Sequence, residues 1–254
     1  WSNVFGGRGS KTSPTRGSDL LYEMKISFMD SALGTKKDIT LDVVSPCENC
    51  NGEGGFDKET CPECNGKGVV NKVQSTIFGQ FQTRTTCSEC SGKGYVFKTK
   101  CRECSGKGKV KQRKTYSVEV PAGVATGERV RMSGKGEAGK NGGPNGDLYI
   151  EFTVESHPLY KRKDDDLYIE MPISISECTL GTERSIKTID GEIELKVPSC
   201  SQNGDVLRVK GKGLPSRRTG KMGDLYIVLK LVMPNRLSRE QKELLERLGE
   251  TDLK

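Results

Sequence analysis

The stretch CENCNGEG, Cys47–Gly54, decides how this chain is read, because it recurs three times: CPECNGKG from Cys61, CSECSGKG from Cys87 and CRECSGKG from Cys101. A CxxC turn brings two thiolates to the spacing of one edge of a tetrahedral site, and two such turns complete an S4 zinc centre. The glycines that follow have a mechanical role. Wrapping backbone amides toward sulfur needs positive φ soon after the second cysteine, which glycine supplies at little cost. Four copies of CxxCxGxG therefore predict two zinc ions per chain. Each would have four cysteine ligands and no open position, so no Lewis-acid chemistry is expected.

The repeats start at 47, 61, 87 and 101, with gaps of 14, 26 and 14 residues. Residues 69–86, VVNKVQSTIFGQFQTRTT, hold two β-prone arms, 69–76 and 80–85, around Phe78-Gly79. This reads as a hairpin, which draws its open ends together. Cys61, Cys64, Cys87 and Cys90 would then share one zinc, and the outer Cys47, Cys50, Cys101 and Cys104 the other. Sequential pairing, first with second and third with fourth, is the alternative. Cys178 and Cys200 lack partners at ligand spacing and read as ordinary β-domain residues.

Outside the cysteines, the chain repeats itself. VPAGVATGERVRMSGKG (120–136) resembles VPSCSQNGDVLRVKGKG (197–213), and GDLYI recurs at 146–150 and 223–227, all at an offset of 77. DLLYEMKISFMDSALGT (19–35) resembles DDLYIEMPISISECTLGT (165–182), with Leu20, Ile26 and Leu33-Gly34-Thr35 matched at an offset of 147. The offsets differ by 70 residues, about the length of the cysteine segment with short flanks. The fold expected is mainly β: two tandem, small β-sandwich-like domains, a zinc-binding β-hairpin module inserted in the first, and a short C-terminal helix. The boundaries read are a Gly/Ser-rich linker remnant over 1–17, β-domain I over 18–45 and 112–157, the cysteine module over 46–111, β-domain II over 158–234, and the helix region over 235–254. Alternation at Leu20, Tyr22, Met24, Ile26 and Phe28, and at Ile39, Leu41 and Val43, marks half-buried strands. Pro121 and Pro198 sit where strands end, and glycine-rich 134–147 reads as a loop.

LSREQKELLERLGE, 237–250, is the clearest helix, with Ser238 as cap, Gln241 completing a capping box and Gly249 as a stop. Its apolar face, Leu244, Leu245 and Leu248, is too short to be stable alone. It docks either on its own β-domain II or on a partner subunit. Because it follows two complete repeats, a homodimer is the reading taken.

Composition bounds the rest. The chain has 254 residues, 33% hydrophobic, with 31 glycines, which argues against one large core. The net charge of +7 comes from 41 basic and 34 acidic residues interleaved along the sequence. No basic stripe with aromatics appears, so no nucleic-acid partner is expected. No run of apolar residues is long enough for a membrane span. Eight cysteines in CxxC pairs predict a reducing compartment, cytoplasm or organelle matrix. The first residue, Trp1, and the flexible WSNVFGGRGSKTSPTRGS mark an expected fragment with more chain upstream.

Together the four CxxCxGxG repeats, VPAGVATGERVRMSGKGEAG, GDLYIEFTVESHPLYKR and the terminal helix resemble the substrate-binding half of a class A DnaJ co-chaperone. The resemblance runs from Ser18 to about Gly249. It implies the same inner and outer zinc pairing. It also implies non-enzymatic binding of unfolded polypeptide clients, and delivery to a seventy-kilodalton heat-shock chaperone. An extended client would add along strands 20–28 and 37–43, with Met24, Ile39 and Leu41 as pocket residues and Tyr116, Val118 and Tyr160 as neighbours; the alternative is that all six are ordinary core, the reading favoured for the last three. The family's J-domain carries a His-Pro-Asp triplet, whereas the single histidine here, His157, is followed by Pro158 and Leu159, so no J-domain is expected within these 254 residues. FGGRGS is similar to the end of the family's Gly/Phe linker. The competing reading is a zinc-released thiol–disulfide oxidoreductase using the CxxC pairs, which would need one CxxC with a depressed thiol pKa.

Overall fold

The computed structural model describes residues 14–76 and 79–251. Most of the expected linker and Phe78 of the expected hairpin turn lie outside them. The first repeat opens with β1 (Leu20–Ile26), a short helix α1 (Phe28–Leu33) and β2 (Thr35–Pro46). The cysteine segment follows with β3 (Gly55–Thr60), β4 (Val69–Thr76), β5 (Gly79–Thr86) and β6 (Tyr95–Lys100). β7 (Lys109–Val120), β8 (Arg129–Met132) and β9 (Leu148–Val154) complete the first repeat. The second comprises β10 (Lys161–Lys163), β11 (Asp166–Ile173), α2 (Ile175–Leu180), β12 (Thr182–Thr188), β13 (Gly191–Val197), β14 (Val206–Val209) and β15 (Leu225–Leu231). Helix α3 (Arg239–Gly249) is the last element.

The architecture is mainly β in several small sheets: β1-β9-β8, β10-β11-β15-β14, and the ribbons β12-β13, β2-β7, β3-β6 and β4-β5. The chain divides into two compact units. One takes the described residues through Met24, Lys37–Val118 and Gly127–Phe152; the other takes Lys25–Lys36, Glu119–Thr126 and the described residues from Thr153 onward. In the first, Met24, Ile39, Val43, Val118, Leu148, Ile150 and Phe152 are buried. In the second, one continuous core joins Phe28 and Ala32 of α1 to Leu167, Met171 and Ile173 of β11, Cys178 of α2, and Leu225, Ile227 and Leu229 of β15. The period-two alternation read in the sequence is the burial pattern of β1, with Met24 and Ile26 inward and Glu23 and Lys25 outward.

Two expectations are corrected. The strand expected over Leu20–Phe28 stops at Ile26. Ser27 caps α1 by accepting from the Asp30 amide, and Asp30 returns a carboxylate to the Ser27 amide. Both bonds satisfy amides that the first helical turn leaves without partners. Phe28 is therefore a helical core residue. Its partner motif is Ser174 with Glu177, which starts α2 in the same way. Gly249 does not stop the last helix: it is the final helical residue, and the cap is Glu250 in right-handed geometry. Ser238 and Gln241 form the capping box read in the sequence.

Candidate metal centres and polypeptide-binding edge

β4 and β5 pair antiparallel from Val69↔Thr86 to Thr76↔Gly79. β3 and β6 form a second ribbon, from Gly55↔Lys100 to Thr60↔Tyr95. These two ribbons set which cysteines meet. At the open end of β4-β5 the sulfurs of Cys61, Cys64, Cys87 and Cys90 converge, and beyond β3-β6 those of Cys47, Cys50, Cys101 and Cys104 converge. All eight cysteines are buried.

The knuckles interlock by backbone hydrogen bonds. Cys61 N–H donates to the Gly94 carbonyl and Cys87 N–H to Gly68, both at 3.0 Å. In the outer site Cys47 N–H donates to Gly108 at 2.9 Å and Cys101 N–H to Gly54 at 3.0 Å. In every knuckle the second cysteine sulfur accepts the amide of the second glycine at 3.2 Å: Gly54 to Cys50, Gly68 to Cys64, Gly94 to Cys90 and Gly108 to Cys104. A second requirement falls on these glycines. A Cβ at Gly108 would stand 2.2 Å from the Gly52 carbonyl oxygen, and at Gly94 2.5 Å from that of Gly66. The residue directly after each pair, Asn51, Asn65, Ser91 or Ser105, also has φ near +50°. The sequence carried that signal in its Asn/Ser choice, since Asn tolerates the left-handed region better than most residues.

The sulfurs of Cys47 and Cys101 lie 3.8 Å apart and those of Cys50 and Cys104 3.7 Å; in the inner site the same pairs, Cys61–Cys87 and Cys64–Cys90, measure 3.8 and 3.7 Å. A disulfide would need about 2.05 Å. A tetrahedron with metal–sulfur bonds of about 2.3 Å has edges of about 3.8 Å, so the donor set and its dimensions fit a four-coordinate thiophilic metal ion. The groups around Cys47, Cys87, Cys64 and Cys101 bias their protons differently. Burial pushes the Cys47 thiol up to about 12. The Glu63 carboxylate that accepts from Cys87 is the main cause of that thiol's rise to about 12. Burial also opposes ionisation of Cys64, but the Gly68 amide and the neighbouring thiols outweigh it and bring Cys64 to about 7. The Cys104 backbone amide leads the causes that bring Cys101 to about 7. Metal binding must displace whatever protons remain.

Two polar neighbours escaped the sequence reading. Asn49 Nδ2 donates to Cys101 Sγ at 3.5 Å, and Cys87 Sγ donates to Glu63 Oε2 at 2.9 Å. Both occupy the third position of a CxxC, and the contrast CENC against CPEC was the available signal. Lys67, Lys93, Lys107, Lys109 and Lys140 line a cleft beside the knuckles and give it a cationic wall.

Of the residues read as a client pocket, Met24, Ile39 and Val118 are buried in the first unit, where Leu41 and Tyr116 are half-buried. Tyr160 belongs to the second unit's core, stacks on Phe28 with ring centroids 5.7 Å apart, and donates its hydroxyl to the Lys187 carbonyl at 3.0 Å. The repeat exposes a difference that the pocket residues do not. β11 is flanked on both sides, by β10 and β15, whereas its counterpart β1 pairs only with β9 among the described strands. On α3 no described residue is buried, and Leu244, Leu245 and Leu248 are all exposed. No described helix is long and apolar enough to cross a membrane.

A duplicated β scaffold whose first copy carries an inserted module with two four-cysteine sites is the class of protein this geometry defines. The DnaJ C terminal domain family matches residues 20–234. "Chaperone protein DnaJ" of Exiguobacterium sibiricum is 41% identical over 251 residues, covering 97% of this chain and 68% of that protein. The protein of the same name from Bacillus cereus strain AH820 is 42% identical over 252 residues, covering 96% and 68%. That from Erysipelothrix rhusiopathiae is 41% identical over 250 residues, covering 97% and 68%. The chain belongs to the DnaJ family, whose members matched here are named as chaperones rather than as enzymes.

Proposed function

We propose that this chain is the polypeptide-binding part of a co-chaperone, and that an extended segment of a non-native client adds along the free edge of β1. The observation that carries the reading is the contrast between β1, paired on one side among the described strands, and β11, paired on both. Strand addition supplies main-chain hydrogen bonds that do not depend on client sequence, while side-chain pockets select exposed apolar residues. Met24, Ile39, Leu41, Tyr116 and Val118 are the proposed pocket, and a methionine suits varied occupants. Tyr160 is the least suited of the six, because its hydroxyl is committed to Lys187. Amide hydrogen exchange with and without a reduced, carboxymethylated model protein tests this. New protection over 20–26 is expected; none there, with protection elsewhere, rejects the edge.

The metal is zinc, two ions per chain, held by Cys47, Cys50, Cys101 and Cys104 and by Cys61, Cys64, Cys87 and Cys90. Its role is structural, and the lysine-lined cleft equips the module to assist contact with clients or with the partner chaperone. Clients pass to a seventy-kilodalton heat-shock chaperone in the cytoplasm or an organelle matrix. The exposed leucines of α3 join two chains, which raises client avidity through effective concentration. Truncation after Pro234 should give monomers in sedimentation; persisting dimers remove α3 from that role.

The thiols at about 7, Cys64 and Cys101, favour a second reading, thiol–disulfide exchange after zinc release. Their burial opposes it. Catalysed disulfide reshuffling by the metal-loaded chain would favour it; reshuffling only at the uncatalysed rate would reject it.

A further inference from the structure

We propose that the two tetrads hold their metal unequally, and that Glu63 makes the inner one, Cys61, Cys64, Cys87 and Cys90, the labile site. The inference rests on the zinc reading above. Ligand type, sulfur spacing and amide donors are the same in both tetrads, so none of these separates them. Among the described polar side-chain contacts to sulfur from outside the ligands, the difference lies at one pair of equivalent positions, 14 residues apart. Each reaches across its site to the first cysteine of the opposing knuckle. At the outer tetrad the group is the Asn49 amide, donating to Cys101 Sγ at 3.5 Å. At the inner tetrad it is the Glu63 carboxylate, 2.9 Å from Cys87 Sγ.

Charge decides the consequence. Four thiolates around a divalent ion leave a net charge of about −2. An N–H donor disperses that charge, whereas a carboxylate in contact with the same sulfur adds to it. The carboxylate is also held in place, since the Glu89 amide donates to the same Oε2 at 3.2 Å. Glu63 therefore favours the empty tetrad over the loaded one, and Asn49 does the reverse for its own. Groups outside the ligand shell commonly change metal affinity by about 10–100-fold.

The test challenges the whole metal-loaded chain with excess chelator, quenches at intervals with a mass-tagged alkylating reagent, and maps the labelled cysteines. Peptides carrying Cys61, Cys64, Cys87 and Cys90 should label about tenfold faster than those carrying the outer four. Glu63→Gln should bring the two rates together while retaining an acceptor for the Glu89 amide. Asn49→Glu should speed release from the outer site, and the double swap should reverse the order. Equal rates in the unaltered chain, or an order that ignores both substitutions, overturns the proposal and leaves the zinc reading standing. A chain that binds no zinc at all overturns the zinc reading and this proposal with it.

Discussion

The two repeats solve the same local problems with the same groups, and differ where one ribbon is interrupted. Gly134 and Gly211 donate amides to the Asp147 and Asp224 carboxylates, each at 2.7 Å. The Asp147 and Asp224 amides in turn meet Asp19 and Asp166, again at 2.7 Å. Gly127 and Gly204 each reach a strand carbonyl, of Phe152 and Leu229, at 2.8 Å. In the second repeat β12 and β13 close directly, from Thr188 to Gly191. In the first, the corresponding strands β2 and β7 run on to twelve residues each, and the cysteine module stands between them. The comparison teaches that the insertion left the flanking hydrogen-bond pattern intact. It also separates two sources of stability, apolar burial in one unit's core and sulfur ligation in the module.

The largest test separates those sources. Among the described residues, the apolar packing around the outer tetrad's sulfurs is Val110, and around the inner one Val70 and Val96. Cores this small do not fold unaided, and structural zinc in small peptides supplies about 10–16 kcal/mol. Chelation should abolish amide protection across β3 to β6 while β11 and β15 keep theirs. Metal analysis should fall from two ions to none, with about eight thiols becoming titratable. Retained protection in β3 to β6 after metal loss would break the distinction.

Much of this was legible in the residues. The segments matched at offsets of 147 and 77 form like elements, β1-α1 with β11-α2 and β8-β9 with β14-β15, because packing at equivalent positions keeps equivalent residues. The CxxCxGxG pattern declared its sulfur chemistry, because few residue types satisfy that geometry. What stayed hidden depends on contacts between distant segments. The helices α1 and α2 are only six residues each, so periodicity had no room to appear, and only the Ser27–Asp30 and Ser174–Glu177 boxes announced them. That β1 is paired on one side only among the described strands was invisible for the same reason: three residues, Lys161–Lys163, decide whether β11 is flanked on its other side.

Glycines ending the two short helices give a sharper test of equivalence. Gly34 has φ 76° and ψ 154°, and Gly181 φ 80° and ψ 163°, a region that only glycine occupies freely. A Cβ on Gly34 would sit 2.9 Å from the Ala122 amide nitrogen, and one on Gly181 2.9 Å from the Val197 carbonyl oxygen. Gly34→Ala and Gly181→Ala should each destabilise by about 1–3 kcal/mol, read as a lowered calorimetric midpoint. Unequal losses would show that the repeats have diverged in rigidity behind their matching bonds.

The smallest expected effect concerns acid. The Gly134 amide, with Arg16 and Arg131 nearby, holds the Asp147 carboxyl below its ordinary value of 3.8, and the Gly211 amide with Arg208 does the same for Asp224. A carboxyl whose pKa is depressed on folding contributes stability that is fully present above 3.8 and is lost as pH falls through the lower folded value. Asp224→Asn should therefore flatten the acid loss of amide protection in β14 and β15. Asp147→Asn should flatten it less in β8 and β9, because the first repeat also carries metal-binding thiolates that take up protons in acid. Equal flattening in the two repeats would mean that loss of the metal does not reach the strands flanking the module. A larger effect at Asp147 would mean that its two arginines, rather than the shared glycine amide, set the strength of the contact.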